Sequence, residues 1–448
     1  MSRSVNNRRF AKCVLGASML LGSMTTAKAA VGDWPQWRGP NRDDISKETG
    51  LLKDWPENGP ALAWEIKDIG GGFSSVSVVG GKIYTMGSFA NAPVAGEKKE
   101  EPKAESNAPG KKKRRPPVNE TTAILALDGS GKILWKTNVG PTGDGGGYPG
   151  PRCTPTIDEG HLYATSDKGD LVCLDAENGK EIWRVNFQKD LGGQMMSGWG
   201  YAESPTIDGA NVICSPGGKE GTLAALDKKT GKVVWRSKDF TDRASYASLV
   251  PAEIGGARQY VVLTDASVAG ISTSGALLWK AARKGATAVI PTPIVKDNLV
   301  FVTSGYGIGC NLMKVEGSST ALTAEQTYAN TDMKVHHGGV ICLGDYVYGS
   351  SDPGILTCMS IKDGKVVWKD RSVGKGSLAY ADGRLYLRAE GSGNVALVEA
   401  SPDGYKEHGQ LKQPDRSRKS AWPHPVIAGG KLYIRDQEVL LCYDIKAK

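Results

Sequence analysis

Apolar and polar residues alternate in short runs along most of the chain, each run closed by Gly, Asn or Asp, which predicts half-buried strands joined by tight turns. In residues 170–186, DLVCLDAENGKEIWRVN, Val172 and Leu174 fall on one strand, Asn178-Gly179 tolerates positive φ, and Ile182 and Trp183 restart the pattern. The hairpin recurs in AILALDGSGKILWKT around Trp135 and in TLAALDKKTGKVVWRS around Trp235. Two degraded copies follow: VAGISTSGALLWKA, which lacks the Asp, and LTCMSIKDGKVVWKD, where Ser360 replaces it. Trp135, Trp183, Trp235, Trp279 and Trp368 are spaced by 48, 52, 44 and 89 residues, the last being two periods. Repeats of this length built from several short strands predict a β-propeller, and the three-to-four spacing of a helical repeat is missing.

Each hairpin is preceded by two more strands around a turn, as in TPTIDEGHLYATS at 154–166 and HPVIAGGKLYIR at 424–435. Four strands per unit make a blade, and counting first strands predicts an all-β, eight-bladed propeller over residues 61–446. The last unit stops at EVLLCYDIKAK with no outer strand, whereas ALAWEIKDI at 61–69 stands unpartnered before the first. That N-terminal strand, with its own Trp64, is expected to close the ring and leave no open edge at the seam. Trp64, Trp135, Trp183, Trp235, Trp279 and Trp368 are then expected to dock each blade on the next.

Charge changes the picture little. Residues 97–115 carry eight basic and four acidic side chains, and the first 30 residues carry five basic and none acidic, together more than the formal +8 of the whole chain. The propeller body is therefore close to neutral, and no nucleic-acid partner is expected. The segment 88–120, rich in Lys, Glu and Pro, is expected to be a disordered polar and basic insertion. Residues 1–30 join a basic start, an apolar run too short to span a bilayer, and AKA at 27–29. They predict a signal peptide cut near Ala29/Ala30, and hence a periplasmic or secreted monomer without a transmembrane segment, beginning with a lead-in at 31–60. Cys173, Cys358 and Cys442 share one strand position and read as small core residues, while pairing of the seven cysteines beyond the leader stays open.

The repeats LDAENGKEIW, LDKKTGKVVW and LDGSGKILW resemble the pyrroloquinoline-quinone (PQQ) type propeller repeat over about residues 61–446. Two branches of that family carry it: quinoprotein alcohol dehydrogenases, and the non-enzymatic propeller subunit of the outer-membrane barrel assembly machinery. The segment DWPQWRGPNRDDIS resembles the lead-in of secreted PQQ-like repeat proteins, and its role is open between a functional clamp and a strap on the blade edges.

Any site is expected where eight loops run from one outer strand to the next inner strand and converge on the channel mouth. Those loops hold Arg152, Tyr201, Glu203, Tyr246, His336, His337, Lys375, Trp422 and His424, which include three of the five His in the chain. Trp and Tyr faces with Arg and His donors suit a polar, anionic or sugar-like ligand. The plain alternative is a solvated polar rim. No metal motif and no G-x-S-x-G elbow occurs, so no metal and no catalytic residue is expected. The resemblance implies PQQ and calcium only for a dehydrogenase. The adjacent Cys-Cys of those enzymes, their long inter-blade insertions and a haem motif are missing here. The expectation is therefore a non-catalytic binding scaffold, without cofactor, engaging an envelope protein, peptide or glycan; the alternative is a PQQ-dependent alcohol dehydrogenase.

Overall fold

A computed structural model describes residues 1, 32–91, 118–319 and 321–448. It holds eight sheets arranged as an eight-bladed propeller, each a blade of four antiparallel strands, the seventh extended by the short parallel strand Ile45–Ser46. Blades 1 to 7 occupy residues 77–141, 156–186, 206–236, 250–282, 294–330, 341–370 and 376–411, each running from inner to outer strand. Blade 8 takes Val426–Ala428, Lys431–Asp436 and Val439–Asp444 from the C-terminal end of the chain and Ala61–Ile66 as its outer strand, with Trp64 opposite Cys442. The expected closure of the ring is thus observed. Residues 2–30 of the expected signal peptide and 92–117 of the insertion lie outside the described residues. The insertion is narrower than expected, because one flanking strand runs to Ala90 and the next begins at Glu120.

Eight hydrophobic clusters form the core, one at each interface between neighbouring blades. A three-residue rung repeats within the sheets. Tyr163, Cys173 and Trp183 stand opposite one another on adjacent strands of blade 2, as do Tyr348, Cys358 and Trp368 in blade 6 and Tyr433, Cys442 and Trp64 in blade 8. The central residue must be small because Tyr and Trp meet over it, with ring centroids 6.0 Å apart in blades 2 and 6. All seven cysteines beyond residue 31 are free thiols.

The outer Trp then reaches the next blade. Trp64 Nε1 donates to Gly129 O at 2.9 Å, Trp135 to Ala176 O at 3.2 Å, Trp183 to Lys228 O at 3.0 Å and Trp368 to Ser401 O at 2.9 Å. The turn residue beneath the ring must be glycine: at Gly231, with φ 71°, a Cβ would stand 2.8 Å from the Trp183 indole. Trp279 departs from the pattern, since its indole bonds Gln259 of its own blade although its ring packs among blade 5 side chains. Blade 5 has no outer Trp. Tyr328 takes the place and donates to Ile361 O at 2.9 Å, which accounts for the 89-residue gap. Among the described residues no helix is long and apolar enough to cross a membrane.

Candidate functional site

The lead-in does not strap the blade edges first; it fills the channel. Asp33 caps Gly80 N in the first turn of blade 1, and Trp34 pairs with Val78 on the inner strand. Pro35 O accepts from Ile157 N in blade 2, Trp37 Nε1 donates to Thr292 Oγ1 before blade 5, and Arg38 Nη2 donates to Val340 O before blade 6. Arg42 donates to Ser204 O and Leu249 O at the approaches to blades 3 and 4. Ile45–Ser46 lies parallel to the inner strand of blade 7, and Asp44 meets His424 before blade 8 at 3.3 Å. The segment leaves where Glu48 caps Gly429 N and Gly430 N, the first turn of blade 8. Entry and exit therefore lie on the same face, so residues 33–48 form a hairpin plug that touches all eight blades. Only beyond the plug does the chain act as a strap, with Leu51 and Trp55 buried between blades 7 and 8.

The plug is charged and buried. Arg38 Nε and Asp44 Oδ2 are 2.6 Å apart with side chains 1% exposed each. Burial alone would raise the Asp44 carboxyl, but Arg38 and His424 hold it below its usual value. Burial lowers the Arg42 guanidinium to about 10. Arg38, Arg42 and Asp44 all take left-handed backbone, at φ 62°, 58° and 60°. Non-glycine residues hold such conformations only where surrounding bonds fix them, as these do.

Above the plug, on the other face, is a cavity of about 290 Å³ lined by residues of the outer-to-inner loops. Trp37, at the tip of the plug, is its floor, with its ring 4.3 Å from that of His424. One wall is Trp422 with Phe73 at 4.5 Å and Tyr148 at 5.2 Å. Trp199 with Tyr246 at 5.8 Å forms another, on loops about half a turn round the ring. Between them stand His336, His337, Glu390 and Arg152.

Of the nine candidate residues, Arg152, Tyr246, His336, His337 and Trp422 line this cup. Four do not: three are buried elsewhere, and Lys375 is held by ion pairs. Tyr201 turns into the interface of blades 2 and 3, donating to Pro216 O and packing edge-on against Phe187. Glu203 lies behind the wall, accepting from Ser215 N at 2.6 Å and Ser215 Oγ at 3.0 Å. His424 is held below, against Asp44 and Trp37. Lys375 stands behind Glu390, 3.3 Å from its carboxylate and 3.0 Å from that of Asp352. Nor is the cup a merely solvated rim, since Tyr246 and His337 are each 6% exposed. Phe73, Tyr148 and Trp199 sit in loops whose aromatic residues were legible beside the candidates. Tyr306 and Glu390 come from turns between second and third strands, which emerge on the same face and carry no spacing signal of their own.

The electrostatics of the cup centre on Glu390. Burial would raise its carboxyl, but His337, Trp422 and Lys375 hold it well below the usual range. Trp422 Nε1 donates to Glu390 Oε1 at 2.8 Å. Burial, with His337 and Lys375 nearby, pushes the His336 imidazole down to about 4, so that ring is neutral at pH 7, and burial also lowers His337 against the opposing pull of Glu390. His337 Nδ1 and His336 Nδ1 are buried without a hydrogen-bond partner, and His337 Nε2 stands 3.4 Å from Glu390 Oε2.

PQQ carries three carboxylates, and its calcium takes six to eight oxygen ligands. The cup offers one carboxylate, Glu390, already bonded, and one lining guanidinium, Arg152, which donates to Gly150 O and Tyr148 O. Among the described residues no group of three or more His, Cys, Asp or Glu is placed to hold a metal ion. The donors present do not fit the quinone and its calcium.

A plugged, eight-bladed propeller with one aromatic cup is the class that fold and site define. The chain belongs to the family described as "Outer membrane protein assembly factor BamB", whose model matches residues 120–370. It is similar to the protein of that name from Shewanella oneidensis, 24% identical over 71% of this chain and 90% of the relative. It is also 35% identical to the dehydrogenase subunit of a quinone alcohol dehydrogenase from Gluconacetobacter polyoxogenes, over 25% of this chain and 16% of the relative. The crystal structure of quinohemoprotein alcohol dehydrogenase from Comamonas testosteroni superposes with TM-score 0.63 at 12% identity, covering 94% of this chain and 82% of that one, which is a likeness of fold alone.

Proposed function

We propose that this chain is an exported, non-catalytic propeller serving as a binding scaffold in the cell envelope, engaging a protein, peptide or glycan through the cup. The observation that carries the reading is the cup itself: its floor is sealed by the plug, its walls are flat aromatic rings, and it holds buried His nitrogens that lack a protein partner. Family membership and the assembly-factor name of the Shewanella relative support an envelope role. Sequence likeness to quinone dehydrogenases supports the alternative, but it covers only a quarter of the chain and the donor set in the cup opposes it.

The test separates the two. Purified protein incubated with PQQ and calcium is expected to lose the quinone absorbance on gel filtration and to show no dye-linked alcohol oxidation. Retained quinone with turnover overturns the binding reading. Cell fractionation with mass spectrometry of the N-terminus checks export, with a mature start near Ala30 expected.

A further inference from the structure

Which chemistry would satisfy the cup follows from what lines it. A purely apolar ligand would leave His337 Nδ1 and His336 Nδ1 buried and unpaired, at about 1–3 kcal/mol for each group. An anion would face Glu390, whose carboxylate is ionised and lines the wall. A cation would face Arg152 inside the cup and Lys375 directly behind Glu390. The remaining class is uncharged and amphipathic, with flat apolar faces and an edge that both donates and accepts hydrogen bonds.

A pyranose ring has that form. Its C–H faces stack on aromatic rings, here Trp422 on one side and the Trp199–Tyr246 pair on another. Its hydroxyls donate to a carboxylate such as Glu390 and exchange bonds with a neutral imidazole, which donates from one nitrogen and accepts at the other. The volume, about 290 Å³, lies at the lower end of small-molecule sites, enough for one sugar unit rather than a length of polymer.

We propose that the cup takes one neutral pyranose unit, either a free sugar or the terminal unit of a glycan, held face-on by Trp422 and Trp199 and edge-on by His337 and Glu390. This rests on the reading that the cup is the binding end of the protein.

The experiment titrates the full purified chain, following Trp emission, with methyl glycosides of glucose, galactose, mannose and N-acetylglucosamine. Glucuronate, glucosamine, tetramethylammonium and short aromatic peptides serve as charged and peptidic comparisons, and a soluble oligosaccharide ending in the preferred sugar separates a chain end from a free sugar. At least one neutral glycoside is expected to bind with a millimolar or better Kd, the charged analogues about tenfold more weakly or worse. Trp422→Ala and His337→Phe are each expected to weaken it at least tenfold, with circular dichroism unchanged. No response to any neutral pyranoside up to about 50 mM, equal binding of a charged analogue, or unaltered binding by both variants overturns the assignment. Peptide binding that the same variants abolish overturns the sugar while keeping the cup as the binding end. Binding of any ligand that neither variant affects overturns both readings.

Discussion

The channel has two halves that meet at Trp37, and they treat buried polar groups in opposite ways. Below, Arg38, Arg42 and Asp44 are as buried as any core residue, and their guanidinium and carboxylate groups find partners on the surrounding blades. Above, the Nδ1 atoms of His336 and His337 are buried and find none. Satisfied buried charge fixes an arrangement, whereas unsatisfied buried polarity is a standing cost that a ligand can relieve. The plug therefore reads as structure, and the cup as the proposed site. The difference explains why the lead-in departs from ordinary backbone geometry at three non-glycine positions while remaining fully bonded.

The comparison breaks most visibly at the plug. Arg38→Ala leaves the buried Asp44 without its guanidinium partner and is expected to cost about 3–5 kcal/mol, read as a fall in the urea midpoint. A loss below about 1 kcal/mol would make the plug an accessory rather than a structural element.

The next largest effect depends on pH. Burial raises the Glu203 carboxyl to about 7, against an ordinary 4.5, while Ser215 and Arg42 oppose the shift only in part. The unfolded chain thus releases this proton near pH 4.5 and the folded chain near 7, so the stability associated with the neutral form is lost as pH rises across that window. Glu203→Gln should remove that slope and leave the variant more stable than the parent above pH 7, by an amount on the order of 3 kcal/mol. Urea midpoints at pH 5 and pH 8 check it, and parallel slopes for parent and variant would contradict it.

A smaller effect is expected at the blade interfaces. Gly231→Ala places a methyl group 2.8 Å from the Trp183 ring at φ 71° and should cost about 1–3 kcal/mol, whereas Gly209→Ala, in open space at φ 60°, should cost less. Equal losses at both positions would show that strain in the turn, not the docked indole, decides the outcome.

The blades were legible because their signals are local. A turn Gly, an outer Trp and a small residue between Tyr and Trp recur within a few dozen residues, and the unpaired strand ALAWEIKDI could be matched to the blade that lacked one. Trp279 shows the limit, since its indole bonds Gln259 of its own blade although its motif shares the turn Gly and outer Trp of the others. The plug was not legible. DWPQWRGPNRDDIS has no periodicity, and its partners are scattered from Val78 to His424. The cup was half legible, because loop position predicts which segments converge but not side-chain direction. Tyr201 and Glu203 flank Ala202, which lines the cup, yet both turn away from it.

The contrast between the two halves of the channel is tested most directly by comparing the urea midpoint of Arg38→Ala with that of His337→Phe. His337→Phe removes Nδ1, which has no partner, and Nε2, which stands 3.4 Å from Glu390, so it should lose no more than about 1 kcal/mol, while Arg38→Ala falls by about 3–5 kcal/mol. A loss at His337 as large as that at Arg38 would mean that the cup is built for stability like the plug, and would contradict its assignment as the site.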